Sequence, residues 1–319
     1  MKKKIIITGI ILALLGSVYL IIGNYFYNFA LNAKQEKTFL EENPHLVKAN
    51  SEGNSLQATE ELMDKTFSSQ SQNNVIRITS YDNLKLTGYE YINGMDEHKW
   101  AIVVHGYGGK AADMTTHIRH FYERGYNVIA PDLRGHGKSE GDYIGMGWHD
   151  RKDILLWIQQ IIEKDPKAEI VLLGVSMGGA TVMMTSGEKL PQNVKVIIED
   201  CGFSSAEEQL TYQLKDLFHL PKFPVINAAN TITKVRAGFD LKEASAVKQV
   251  KKSKTPMLFI HGDNDTFVPL HMLDEVYDAA KVDKEKVIIS GAGHAESAQV
   301  DSKNYWNSVW KFVEKYIPA

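Results

Sequence analysis

The strongest constraint on the fold is a five-residue turn, G-x-S-x-G at 174–178, which lies between an apolar run at 170–173 and a segment typical of a helix start. A sharp turn between a buried strand and a helix requires a small residue on either side of the serine. It exposes the hydroxyl of Ser176 beside the positive end of the following helix. The turn therefore indicates a nucleophile at the end of a strand.

A serine nucleophile needs a histidine to accept its proton and a carboxylate to orient that histidine. In the fold that uses this turn, the acid and then the histidine follow the serine along the chain. His294 lies in a Gly-rich loop directly after the apolar run 287–289, and we predict it as the base. The other histidines after Ser176 fit less well, since His271 is expected in a surface helical turn and His261 at a strand–loop junction.

Asp265 is the best-placed acid, because it lies in a short polar loop between an apolar strand at 257–260 and a helix. Two alternatives stay open. Asp263 lies in the same loop and could simply shape its turn. Asp200 also follows a strand, and only chain order and loop position favour Asp265 over it.

A second glycine-rich loop indicates an oxyanion hole. The apolar strand 100–104 runs into H-G-Y-G-G at 105–109, and glycines let backbone N–H groups turn toward a ligand. A tetrahedral intermediate needs two such donors. We predict the backbone N–H groups of Tyr107 and Met177, although a plain glycine turn would give the same sequence.

Together with D-x-R-G-H-G-x-S at 132–139, these segments resemble the α/β-hydrolase superfamily of serine hydrolases over about residues 75–318. The run at 132–139 resembles the esterase, lipase and acylglycerol-lipase branch, and the whole chain is similar to membrane-anchored bacterial hydrolases. The resemblance implies an α/β fold with a mostly parallel, doubly wound sheet and a small helical cap. It implies a structural role for the loop at 132–139, and it says little about the substrate.

Strand and helix patterns alternate from about residue 100 onward, after an opening hairpin near 75–91. Such alternation predicts a parallel sheet with helices on both faces and a ligand site at the carboxyl ends of its strands. One stretch, at about 203–250, has no clear strand. We predict that it forms a helical cap over the site, because a structureless loop of that length is uncommon.

Composition excludes several classes of protein. A net charge of −3 and the lack of a basic, aromatic-rich patch argue against a nucleic-acid partner. Cys201 is the single cysteine, so no intramolecular disulfide is possible, and we expect it to be buried. No histidine and carboxylate spacing indicates a metal site, and we expect no cofactor. The sequence does not define an oligomeric state.

The first residues predict a membrane segment. Three lysines at 2–4 precede an uncharged stretch from Ile5 to Gly23, which is long enough to span a bilayer. The lysines would stay in the cytoplasm and place the rest of the chain outside. Residues 1–33 are therefore expected to be a single-pass anchor, 34–73 a polar spacer, and 74–319 the hydrolase domain. A cleaved signal peptide, which would release a secreted protein, is the main alternative, and a buried helix is another.

These observations predict a serine hydrolase of small-molecule carboxylic esters that forms an acyl-enzyme on Ser176. Thioester or amide hydrolysis and acyl transfer could use the same residues. A non-catalytic surface binding module of the same fold is a further alternative.

Overall fold

The computed structural model of the chain describes residues 2–40, 43, 45–46, 55–94 and 98–318, without the side chains of 55–58. The strands are β1 (Asn74–Thr79), β2 (Lys85–Tyr91), β3 (Lys99–Val104), β4 (Asn127–Pro131), β5 (Glu169–Val175), β6 (Val194–Asp200), β7 (Met257–Gly262) and β8 (Lys284–Ile289). The α-helices are α1 (Lys2–Leu31), α2 (Ser55–Gln70), α3 (Thr115–Glu123), α4 (Asp150–Lys164), α5 (Met177–Thr185), α6 (Ala206–Phe218), α7 (Lys222–Arg236), α8 (Ala246–Val250), α9 (His271–Ala279), α10 (Ser297–Val300) and α11 (Ser302–Val313).

All eight strands form one sheet, in the order β1-β2-β4-β3-β5-β6-β7-β8. Strands β3 to β8 are parallel, whereas β2 runs antiparallel to both β1 and β4. The central strands β5 to β7 are buried along almost their whole length, as expected of a sheet covered on both faces. The predicted mostly parallel, doubly wound sheet is confirmed.

Two hydrophobic clusters cover the two faces of the sheet. Trp157 of α4, Met183 of α5 and Met272 of α9 belong to one cluster. Phe121 of α3 and Val309 of α11 belong to the other. With both faces covered, the carboxyl ends of the parallel strands are the accessible edge, where loops from several strands meet.

A helical cap lies between β6 and β7, within the stretch at about 203–250 that has no clear strand pattern. It consists of α6 and α7, whereas the short α8 packs against α5 and α9 on one face of the sheet. The cap is tied to the loop after β7, because the side-chain amides of Gln209 and Gln213 in α6 both donate to the carbonyl of Phe267, each at 2.9 Å. The cap therefore lies over the carboxyl edge of the sheet.

Helix α1 is continuous, but its two parts have different surroundings. Before Gly23 its side chains are largely exposed, whereas Tyr27 and Leu31 are each only 1% exposed and belong to the core. Gly23 touches α7 so closely that a Cβ there would lie 2.4 Å from the carbonyl oxygen of Ala228. The sequence predicts an anchor separate from the domain, but the last two turns of α1 pack into it.

The segment expected to be a polar spacer also makes contacts with the domain. In α2, the carboxylates of Glu60 and Asp64 bind Arg119 of α3, whose side chain is only 2% exposed. Such a buried guanidinium needs anionic partners, and the polar side chains of α2 supply them. His45 bonds to Thr266 at 2.6 Å and to Asp216 at 2.9 Å. Residues 41–42, 44 and 47–54 of the predicted spacer lie outside the described residues.

Candidate active site

Ser176 lies in a strained turn between β5 and α5. Its φ is +57° and its ψ is −119°, a conformation that a residue with a Cβ rarely adopts. The turn is possible because its flanking positions are glycines. A Cβ on Gly174 would lie 2.1 Å from the oxygen of Gly178, and one on Gly178 would lie 2.1 Å from the oxygen of Val104. This close packing is the physical reason for the G-x-S-x-G pattern.

Three predicted residues meet at the strand ends. The Ser176 hydroxyl lies 2.8 Å from Nε2 of His294, and Nδ1 of His294 lies 2.7 Å from Oδ2 of Asp265. Ser176 follows β5, Asp265 follows β7 and His294 follows β8. The parallel sheet thus brings together residues that are up to 118 positions apart. The arrangement can move a proton from the hydroxyl to the imidazole while the carboxylate holds the imidazole in place.

Asp265 is buried, and its carboxylate oxygens have hydrogen-bond partners within the protein. Its Oδ1 accepts from the backbone N–H groups of Phe267 and Val268, at 2.9 and 2.8 Å. Burial by itself would raise the pKa of Asp265, but His294 and His261 beside it outweigh that effect and hold the pKa well below its ordinary value. The carboxylate therefore stays ionised and can orient His294.

The alternatives considered from sequence lie elsewhere. Asp263 is exposed and shapes its turn by accepting from Ser290 and from the Gly291 backbone. Asp200 is buried, and its backbone carbonyl accepts the N–H of Ser176 at 2.8 Å. His271 is exposed at the start of α9. None of the three takes the place of Asp265 or His294 beside Ser176.

The loop after β3 lies against the serine. A Cβ on Gly106 would be 3.2 Å from Cβ of Ser176 and 3.7 Å from its hydroxyl oxygen, so the segment that precedes Tyr107 packs against the serine. Met177 is the first residue of α5, where N–H groups have no partner within the helix. The two predicted oxyanion donors thus lie on segments that adjoin the Ser176 hydroxyl.

The loop at 132–139 is hydrogen-bonded to the loop after β3. Asp132 accepts from the backbone of Ala111 and Lys138, at 2.9 and 2.8 Å. His136 accepts from the N–H of Gly108 at 3.2 Å, and Arg134 makes a bidentate, buried ion pair with Asp153. These contacts agree with the structural role that the resemblance implied.

An apolar cavity adjoins Ser176, and an apolar lining with few polar groups is typical of small-molecule sites. Its lining comes from the loops after β3, β5 and β7, from the cap and from the N-terminal segment. None of the described lining residues is charged; they include Phe26, Phe29, Phe39, Tyr107, Phe203, Leu217, Phe218, Ile226, Ala229 and Phe267. Sequence patterns do not indicate that residues 26–39 reach this site, because these residues lie in a predicted anchor and spacer.

A layer of buried ionisable groups lies beneath the site. Nε2 of His261 donates to the carbonyl of Val268 at 2.8 Å and lies 3.2 Å from Oδ2 of Asp265. Burial raises the pKa of Glu199 to about 8 and that of Asp200 to about 6. His261 thus contacts the acid of the site as well as filling the strand–loop junction where it was expected. The sequence signal for this contact is a polar residue, His261, at the end of a core strand.

One group of possible metal ligands occurs here: ligand-type atoms of Cys201, Asp265 and His294 lie within 4.8 Å of one another. Both nitrogens of His294 already have hydrogen-bond partners, and Asp265 is one of them. Cys201 is fully buried, and burial raises the pKa of its thiol, which disfavours the thiolate that a metal prefers. The three groups suit proton transfer better than ion binding.

Comparison with known families and curated proteins gives one family and several distant relatives. A family described as "Serine aminopeptidase, S33" matches residues 96–219. An uncharacterised protein of Bacillus subtilis, YqkD, is 26% identical over 72% of this chain and 75% of its own length. The uncharacterised protein YfhR of Escherichia coli O157:H7 is 24% identical over 70% of this chain and 73% of its own.

Solved structures share the fold. An esterase of Pyrococcus furiosus, Pf2001, aligns with a TM-score of 0.63 at 24% identity and covers 79% of this chain and 93% of its own. An acylaminoacyl peptidase of Pyrococcus horikoshii aligns with a TM-score of 0.59 at 20% identity and covers 82% of this chain and 44% of its own. The two neighbours act on different bonds, so the likeness shows the fold and leaves the scissile bond open.

Proposed function

We propose that this chain, a serine hydrolase of the α/β-hydrolase superfamily, cleaves carboxylic esters through an acyl-enzyme on Ser176. The observation that carries the proposal is the hydrogen-bonded series from Ser176 to His294 to Asp265, with distances of 2.8 and 2.7 Å. A serine hydroxyl becomes nucleophilic when a neighbouring imidazole accepts its proton, and this geometry supplies that acceptor.

In the proposed reaction, His294 takes the hydroxyl proton as the oxygen of Ser176 attacks the carbonyl carbon of the ester. The backbone N–H groups of Tyr107 and Met177 stabilise the resulting oxyanion. His294 then gives the proton to the departing alkoxide, which leaves an acyl-enzyme. Water, deprotonated by His294, attacks the acyl group, and the carboxylic acid is released as Ser176 regains its proton.

Aminopeptidase activity is the competing function, because the matching family and one structural neighbour carry peptidase names. A peptidase that binds a free amino terminus needs an anionic group beside the scissile bond to pair with the ammonium. No acidic side chain is found among the described residues that line the cavity. The uncharged lining favours an apolar acyl group over a charged peptide end.

The proposal includes the location of the enzyme. Within the described residues, α1 alone is long and apolar enough to cross a membrane, and three lysines precede its apolar part. We propose that α1 remains attached, with residues 1–33 as anchor and the catalytic part outside the cell. Cleavage near residue 33 would remove Tyr27 and Leu31 from the core, which makes a cleaved signal peptide less favourable.

The test uses the full-length chain in detergent micelles and a series of p-nitrophenyl esters from acetate to palmitate. Ser176→Ala should abolish turnover and labelling by a fluorophosphonate, since the nucleophile is lost. Ser186→Ala is the matched control, because Ser186 is also a buried serine near the end of α5 and should leave both unchanged. Turnover of p-nitroanilide amides with no turnover of esters would contradict the proposal.

A further inference from the structure

One wall of the cavity beside Ser176 belongs to the helix that is predicted to cross the membrane. Phe26, Phe29 and Ala30 of α1 line the cavity together with Leu217 and Phe218 of the cap. The ring of Phe218 contacts the rings of Phe26 and Phe29 edge-on, with centroids 5.2 and 5.1 Å apart. Removal of α1 would therefore open the cavity to solvent.

Hydrogen bonds fix this wall relative to the reacting serine. The hydroxyl of Tyr107, in the oxyanion loop, donates to the carbonyl of Ala30 at 2.5 Å. The ammonium of Lys37 donates to the carbonyls of Asn28 and Phe29, at 3.2 and 2.8 Å. A cation at these last carbonyls also suits the negative end of the helix dipole. The end of α1 is thus held to the same loop that carries an oxyanion donor.

The cap holds the wall from the other side. Gly23 packs against Ala228 of α7 at a distance that admits no side chain. Arg236, at the end of α7, donates to the side-chain oxygens of Asn24 and Asn28, at 3.0 and 2.9 Å, and lies over the ring of Tyr27. The part of α1 that lines the cavity is accordingly a fixed element of the site.

The other part of the same helix is apolar around its whole circumference and exposed. Ile5, Leu12 and Ile21 are 69%, 63% and 68% exposed. A helix with exposed apolar side chains on all sides is typical of a bilayer span. Phe26 lies five positions after Ile21, which is about 7–8 Å along a helix. The cavity therefore begins within two turns of the predicted span.

We propose that the cavity binds the long acyl chain of a membrane lipid ester, which reaches Ser176 from the bilayer along α1. The inference rests on the proposed ester hydrolysis and names its substrate class. The cavity offers an uncharged, largely aromatic and aliphatic lining that matches an acyl chain and no charged group. Helix α1 is then both the anchor and part of the acyl-binding site.

The first experiment measures the acyl site by covalent labelling of Ser176 in the full-length chain. The probes are a methyl and a hexadecyl fluorophosphonate, and the readout is the ratio of their labelling rates. Ala30→Trp fills the cavity next to Tyr107, so the long-to-short ratio should fall by about tenfold or more. Ala13→Trp is the matched control, since Ala13 is an exposed residue of the same helix and should leave both rates unchanged.

A second variant covers the case in which Ala30→Trp does not fold. Phe29→Ala only removes apolar surface from the cavity, and it should lower the same ratio by about fivefold. An unchanged ratio in either folded variant overturns the inference, because α1 would then not contact the acyl chain.

The second experiment identifies the source of the substrate. The full-length chain is reconstituted in phospholipid vesicles, and a fluorogenic palmitoyl ester of a lipid is placed either in the same vesicles or in separate ones. We expect hydrolysis at least tenfold faster when enzyme and ester share a bilayer. Equal rates would mean that the ester arrives through water and would overturn entry along α1.

These experiments distinguish failure of the proposed ester hydrolysis from failure of the inference about the acyl chain. The proposed function fails if wild-type protein shows no Ser176-dependent turnover of any ester, and the inference then falls with it. The inference alone fails if the wild type hydrolyses esters normally while Ala30→Trp keeps its preference for the long probe.

Discussion

The candidate site has a polar part and an apolar part, and they are built in different ways. The polar part consists of Ser176, Asp265 and His294, each in a short loop directly after a strand of one sheet. The apolar wall combines α1 with the cap helices, whose contacting residues are about 200 positions apart. Local turns position the polar groups, whereas packing between distant helices creates the wall. The two proposals therefore assign chemistry and substrate selection to different parts of this chain.

The largest effect is expected in the polar part. In Asp265→Asn the amide oxygen can still accept from Phe267 and Val268, so its NH₂ group must face His294. His294 would then accept at Nδ1 and carry its proton on Nε2, where it cannot act as base toward Ser176. We expect kcat for a p-nitrophenyl ester to fall by about 10⁴-fold for both short and long acyl chains.

Thermal unfolding and the long-to-short labelling ratio are the controls for Asp265→Asn. The labelling ratio should stay close to wild type, since the variant leaves the wall intact, and thermal unfolding checks that the variant is folded under the assay conditions. Loss of activity for long chains only would contradict the separation of the two parts.

A smaller and more selective effect is expected at the wall. Gly23→Val places a side chain where even a Cβ would lie 2.4 Å from Ala228, so α1 must move away from α7. We expect kcat/KM for palmitate to fall about tenfold relative to acetate, because the cavity loses contacts with the acyl chain. The measurement is the chain-length profile of the full-length protein in micelles.

Gly16→Val is the matched control for this change. Gly16 lies on the exposed part of α1, and a Cβ added there would have no neighbouring atom within 4 Å. Its profile should equal that of the wild type. A uniform loss for all chain lengths in Gly23→Val would show that the wall and the catalytic loops cannot be altered independently.

The smallest effect concerns the buried layer beneath the polar part. Burial raises the pKa of Glu199 to about 8, so the folded protein keeps a proton that the unfolded chain has released at neutral pH. The contribution of Glu199 to the free energy of unfolding is greatest below about pH 4.3, where the carboxyl is protonated in both states. This contribution falls as the pH rises, because the unfolded chain loses the proton first, and it is fully lost once the pH has risen through 8. Asp200, His261 and Asp265 also face this layer, and Asp200 titrates lower, at about 6.

The free energy of unfolding of the wild type should therefore fall between pH 6.5 and 8.5, and this fall should be smaller in Glu199→Gln. Asp200 contributes little to the change in this range. We expect the wild type to lose about 2 kcal/mol more than the variant across this range. Urea unfolding at the two pH values measures the difference. Glu163→Gln, at an exposed position of α4, should behave as the wild type does, and an equal pH response in all three proteins would contradict the buried proton.

Much of the polar part could be predicted because its signals are local. An apolar run predicts each core strand, and Gly174 is required by its contact with Gly178, only four positions away. The order serine, acid, histidine then selects Asp265 and His294. The structure brings these three into hydrogen-bond contact, and their catalytic role remains the proposal tested above.

The wall could not be predicted, because its signals are pairwise and distant. Nothing near Gly23 indicates that it faces Ala228, and the polar composition of α2 gives no sign that Glu60 and Asp64 neutralise a buried arginine. A long apolar helix also has the same composition whether its end is free or packed. Sequence patterns identify an element, but shape complementarity decides which surface it covers.

The continuity of α1 has a kinetic consequence. A helix without a break is a rigid spacer of about 1.5 Å per residue, so Ala30 would stay roughly 10 Å beyond Gly23 at all times. An enzyme anchored in this way searches for substrate in two dimensions. Its rate would then follow the mole fraction of the ester within the bilayer, and dilution of the whole sample at constant membrane composition would leave turnover per enzyme unchanged.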